Sequence, residues 1–114
     1  YNKEEITIKM AEHKLIDLNV AMQLPKGFEA HILPRSSTFK NYGLTVANSM
    51  GMVDNRYCGD NDEWKLSVIG TKEVTIPKGS RIAQFRIIPS QNVKLKTVGS
   101  LNGSDRGGFG SSGK

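Results

Sequence analysis

Apolar and polar residues alternate with a period of two through most of this chain of 114 residues, and that rhythm leaves few folds open. Successive side chains of a strand point to opposite faces, so alternation marks a sheet with one face in a core and the other in water. Glu5-Ile6-Thr7-Ile8-Lys9 follows the pattern, Lys14 to Met22 continues it, and Phe28-Glu29-Ala30-His31-Ile32-Leu33 repeats it. Trp64 to Ile69, Glu73 to Ile76 and Arg81 to Ile88 have the same character. Leu24-Pro25-Lys26-Gly27 and Ile76-Pro77-Lys78-Gly79 share a Pro-Lys-Gly device, read as a hairpin turn with Pro second and Gly fourth. One helical turn is expected at Ser37 to Tyr42, with Ser37 as its cap and Gly43 as its end. Many short strands separated by turns predict an all-β sandwich or barrel.

From Val98 onward the composition changes to a Gly/Ser-rich arm, so a β core over 1–97 and an arm over 98–114 are expected. The last ten residues, from Asp105 to Lys114, hold four glycines, two serines, Arg106 and Phe109. Such residues build no core, but they suit a phosphorylated ligand. Gly110 and its neighbours let backbone N–H groups approach an anion. Arg106 can fork onto phosphate oxygens, Ser111 and Ser112 can donate to them, and Phe109 offers a face to a base. An unordered polar terminus is the competing reading.

Hydrophobic residues make up 37% of the chain, and no apolar run reaches the length of a membrane span. Cys58 is the one cysteine, which excludes an intrachain disulfide and fits a reducing cytoplasm. The first residue is Tyr1 and not methionine, so further residues upstream are expected. The formal charge of +5 favours an anionic partner. Lysines such as Lys65, Lys72, Lys78, Lys94, Lys96 and Lys114 are scattered, which favours a nucleotide-sized anion over direct nucleic-acid binding.

Three segments can carry chemistry. Pro34-Arg35-Ser36-Ser37 ends a strand where the helical turn begins, and its guanidinium, hydroxyls and free N–H groups suit an anion, or serve as a plain cap. Gly51 to Gly59 reads as a hairpin, with Asp54 partly buried at a strand end after Met52 and Val53. A carboxylate so placed can orient and deprotonate a water, or only support the turn. Tyr57 can stack on a sugar or simply pack. Gly79-Ser80-Arg81-Ile82-Ala83-Gln84 enters the most apolar strand, with Gln84 as a ligand donor or an edge residue. His13 and His31 stand in ordinary strand contexts and are read as structural.

Together these segments resemble the trimeric dUTP pyrophosphatase (dUTPase) family, in a bacterial or prophage form, over about Leu15 to Gly113. PRSS (34–37), NSMGMVDNRYCG (48–59), KGSRIAQ (78–84) and RGGFGSSG (106–113) match four of the family's five motifs in order. The first motif, centred on an aspartate near Mg²⁺, has no counterpart; Ser80 stands for a usual aspartate and Ser112 for a usual threonine. Asp60-Asn61-Asp62 lengthens the loop, as in some bacterial and prophage members.

The resemblance implies a jelly-roll or distorted barrel, a homotrimer with shared sites, and hydrolysis of dUTP to dUMP and pyrophosphate. Asp54 matches the water-activating aspartate and Tyr57 the ring beneath the deoxyribose. Asn48 with Gly51, Met52 and Val53 matches the uracil pocket, and Arg35, Ser36, Ser37 and Gln84 match phosphate ligands. Lys65 matches a phosphate-side residue. Phe109 matches the ring that closes over uracil with Gly110, and Arg106, Ser111 and Ser112 match donors to the distal phosphates. Mg²⁺ is expected to be held through the triphosphate and water, with no protein ligand of its own. The related dCTP deaminases need a glutamate and an arginine where Ser67 and Lys40 stand here, and a hydroxyl cannot shuttle that glutamate's proton. A non-catalytic sandwich that binds nucleotide or a regulator is the other alternative.

Overall fold

The computed structural model describes residues 1–110. Eight strands and one short helix follow in order: β1 (Ile6–Ile8), β2 (His13–Asp17), β3 (Phe28–Pro34), α1 (Thr38–Tyr42), β4 (Leu44–Val46), β5 (Gly51–Val53), β6 (Lys65–Gly70), β7 (Val74–Ile76) and β8 (Ala83–Pro89). They pair antiparallel as β1-β7, β2-β6-β4 and β5-β3-β8. The result is the expected jelly-roll architecture.

Alternation explains the core. Ile8, Ile16, Ala30, Ile32, Leu44, Val46, Val53, Leu66, Val68 and Ile76 are the inward positions of seven strands. Leu18, Leu24, Trp64 and Ile82 close the layer from loops. The Trp64 indole N–H is buried without a hydrogen-bond partner, a local cost accepted for the volume of its ring. Gly70 ends β6 against the β1–β2 turn: a Cβ there would lie 2.6 Å from the Lys9 carbonyl oxygen and 2.9 Å from Ile8. Gly70→Ala is therefore expected to destabilise the fold by about 1–3 kcal/mol through overpacking. A lower urea midpoint at unchanged m-value is the expected readout.

Four local expectations are corrected. The strand read from Lys14 to Met22 leaves its sheet after Asp17, although alternate burial continues through Leu18 and Leu24. There the chain is held by single bonds, Leu18 N–H to the Trp64 carbonyl and Trp64 N–H to the Val20 carbonyl. Neither Pro-Lys-Gly segment joins a hairpin, because the strands flanking each pair with other partners. Their glycines occupy the third turn position, not the fourth: Gly27 and Gly79 have φ of 86° and 80°, which that position of a type II turn demands. Gly51 to Gly59 is no hairpin either, since β5 pairs with β3 while β6 pairs with β2 and β4.

Finally, Ser37 stands at the helix N-cap without a side-chain cap bond. Buried Thr38 does the work instead. Its Oγ1 accepts the Arg35 N–H at 2.8 Å and donates to the Ile82 carbonyl at 2.9 Å, which ties the end of β3 to the approach of β8. Gly43 ends the helix in the left-handed region, as expected.

Candidate active site

β5 lies at a sheet edge with Gly51 opposite Ile32 and Val53 opposite Ala30. Beyond buried Val53 the chain turns at once, with the Tyr57 N–H donating to the Asp54 carbonyl at 3.0 Å. The turn carries Asp54 and Tyr57 to the rim of a cleft of about 370 Å³. Asn48, Gly51, Met52, Val53, Asp54, Tyr57 and Lys65 all line it, so the structure gathers seven of the expected residues in one place. Leu15, Ile32 and Trp64 supply apolar wall, with Glu63 and Ser67 beside them. A flat apolar wall with a few polar groups at its mouth is suited to a base and a sugar.

Tyr57 is oriented from across the cleft, its hydroxyl donating to the Glu63 carbonyl at 2.9 Å. The Glu63 side chain is in turn fixed by Lys3 Nζ at 2.7 Å and the Asn19 N–H at 2.9 Å. Lys65 bonds Asp17, which holds its ammonium above the usual lysine range. Lys65 is therefore held at the cleft in an ion pair with Asp17.

Asp54 is not partly buried as its sequence context implies; its side chain is 51% exposed in the single chain. The reason is the immediate turn, which swings the residue off the sheet as soon as pairing with β3 stops. Its carboxylate is gripped by Arg56, through the backbone N–H at 2.8 Å and the guanidinium at 3.0 and 3.2 Å. Arg56 is the Asp54 contact that the motifs do not identify, although the Asp-x-Arg spacing is visible in the sequence.

The second cluster forms at the far end of β3. Arg35 Nη1 donates to the Arg81 carbonyl at 3.0 Å, and Gln84 Nε2 donates to the Pro34 carbonyl at 2.9 Å. Ser36 and Ser37 lie in the same turn. Asp54 follows the residue paired with Ala30, whereas Arg35 follows Pro34 at the other end of the strand. Glu29 and Arg35 are six residue steps apart along the strand, a span of ~20 Å. Within one chain these two clusters lie apart along β3.

The arm joins neither. β8 ends at Pro89, and Arg106, Phe109 and Gly110 are exposed and absent from the cleft wall. Ser111 and Ser112 lie outside the described residues. No helix among the described residues is long and apolar enough to cross a membrane.

Eight antiparallel strands, one helical turn and a base-sized cleft beside an acidic loop define a dUTPase-like jelly roll. The dUTPase family model matches residues 1–113, and the chain belongs to that family. The SPbeta prophage-derived deoxyuridine 5'-triphosphate nucleotidohydrolase of Bacillus subtilis is 50% identical over 111 residues, covering 96% of this chain and 78% of that protein. A point mutant of the phage 80alpha dUTPase superposes with a TM-score of 0.80 at 24% identity, over 96% of this chain and 81% of its own. A point mutant of the dUTPase of phage phi11 of S. aureus, solved with the coordination of a structural Mg(II) ion, gives a TM-score of 0.73 at 18% identity, over 86% of this chain and 79% of its own.

Proposed function

We propose that this chain hydrolyses dUTP to dUMP and pyrophosphate, limiting uracil in DNA and supplying dUMP, in the cytoplasm where the exposed thiol of Cys58 stays reduced. The family match over residues 1–113 carries the reading, and the 50% identical relative bears the name of that activity. In the cleft, Asn48 and the backbone of Gly51, Met52 and Val53 read uracil, and Tyr57 lies beneath the deoxyribose. Arg35, Ser36, Ser37 and Gln84 bind phosphate oxygens, with Lys65 on the phosphate side. The arm, residues 98–114, closes over a bound nucleotide with Phe109 and Gly110 against uracil, and with Arg106, Ser111 and Ser112 on the distal phosphates.

Asp54 accepts a proton from a water whose oxygen then bonds the α-phosphorus. The bond from that phosphorus to the bridging oxygen breaks, and pyrophosphate leaves with that oxygen. Among the described residues no three His, Cys, Asp or Glu side chains converge into a cation cage. A Mg²⁺ carried by the triphosphate and water would, when bound, neutralise phosphate charge.

We propose a homotrimer in which head-to-tail contacts close into three equal clefts, a reading that the ~20 Å between the two clusters along β3 supports. Phe85 and Ile87 support it: each pairs with a core residue of β3, yet each remains 47% and 45% exposed respectively. Apolar groups on the inward face of an edge strand call for a cover. Deamination is disfavoured, since Ser67, engaged with His13 Nε2 at 2.7 Å, is a hydroxyl and not the glutamate that reaction needs at this position.

The test is turnover of dUTP, UTP, dTTP and dCTP with Mg²⁺, following pyrophosphate and ammonia. Pyrophosphate release from dUTP, preferred by about a hundredfold or more over the others, is expected. Ammonia from dCTP, or no turnover of dUTP, overturns the reading.

A further inference from the structure

We propose that Arg56 is a positioning residue for the Asp54 base: it occupies three lone pairs of the carboxylate and leaves one, on Oδ2, to hold the attacking water. This rests on the reading of Asp54 as general base. Oδ1 accepts both the Arg56 backbone N–H at 2.8 Å and its Nε–H at 3.2 Å, while Oδ2 accepts Nη2 at 3.0 Å. A carboxylate offers about four lone-pair sites. Oδ1 is therefore saturated and Oδ2 retains one free direction. Because one bond comes from backbone and two from a planar fork, rotating the carboxyl breaks all three together. The water site inherits that rigidity.

Folding does not need this pair. Arg56 is 86% exposed and Asp54 51%, and so exposed an ion pair adds little to stability. A clasp that contributes little to the fold and fully orients a candidate base is better explained by chemistry. The surrounding charges leave the clasp to Arg56. Tyr57 faces Asp54 from the same turn, and Glu63 and Lys65 from the opposite wall of the cleft. Lys65 is engaged by Asp17 and Glu63 by Lys3. From β3, Glu29 approaches Asp54 but is bonded to His31 at 2.6 Å. The Arg56 side chain, and next its backbone N–H, hold the Asp54 carboxyl below the usual aspartate range. A depressed carboxyl is ionised above that lowered value, so removing Arg56 moves the acid limb of activity to higher pH.

The experiment compares the full-length protein with Arg56→Ala, Arg56→Lys and Asp54→Asn, measuring dUTP kinetics against pH and, by carbon NMR in the empty protein, titration of the Asp54 carboxyl. Arg56→Ala is expected to lower kcat by roughly ten- to hundredfold, with KM little changed. The acid limb and the carboxyl titration should move upward together, and the melting temperature should stay put. Arg56→Lys, which keeps the side-chain charge but not the planar fork, should fall between. Unchanged kcat and titration overturn the inference, as does a loss confined to KM, which would make Arg56 a phosphate ligand. If Asp54→Asn keeps near-normal turnover, the base assignment itself fails; if only the Arg56 variants do, Asp54 stands and the clasp falls.

Discussion

Asp54→Asn is expected to give a folded protein that binds nucleotide and turns it over two to four decades more slowly, about the usual worth of a general base. The physical difference is narrow. Asparagine keeps an oxygen able to accept the two Arg56 bonds that Oδ1 receives, so the turn survives. Its amide nitrogen then stands where Oδ2 was, facing Nη2 donor to donor, and cannot accept a proton from water. Because Asp54 is half exposed and joins no core, melting should be unaltered. The check is kcat for pyrophosphate release beside an equilibrium measurement of binding a nonhydrolysable dUTP analogue. Loss of binding with loss of turnover would point to a misfolded loop, and near-normal turnover would remove Asp54 from the chemistry.

Deleting residues 105–114 is expected to leave thermal stability unchanged while lowering kcat/KM by at least about a hundredfold. From Ser90 to Gly110 no side chain is buried and no strand forms, so this stretch contributes almost nothing to the core. Its arginine and phenylalanine can act only after they reach a ligand, which is how closing segments commit a substrate. Amide exchange separates this from a passive tail. Residues 105–110 should exchange freely in the empty protein and become protected with the analogue bound. Equal exchange in both states, or unfolding on truncation, rules out closure.

Where alternation coincided with pairing, the fold could be read directly. Ala30 and Ile32 face inward while Glu29, His31 and Leu33 do not, and β3 emerges from that pattern alone. The same pattern misleads beyond Asp17, because Leu18 and Leu24 are buried from a loop that crosses the core without a partner strand. Alternation reports which face is dry, not which neighbour is hydrogen-bonded. The apparent hairpin at Gly51 to Gly59 failed for a related reason: β5 chose β3 over the strand that follows it, and long-range register leaves no local mark. For the site, residue identities came from motif resemblance, and the cleft gathers Asn48, Gly51, Met52, Val53, Asp54, Tyr57 and Lys65. What no motif disclosed was geometry, namely the Arg56 grip on Asp54 and the placement of Arg35 and Gln84 at the opposite end of β3.

That placement has a consequence for mixed populations of chains. In a ring that joins the Asp54 end of one copy to the Arg35 end of another, a chain damaged at one end still lends its sound end to a neighbour. A sample containing only one kind of damaged chain then has no whole cleft. If the proposed ring forms, mingling chains spoiled at Asp54 with chains spoiled at Arg35 is expected to bring some sound ends together, so that two inactive preparations restore activity to each other by sharing subunits.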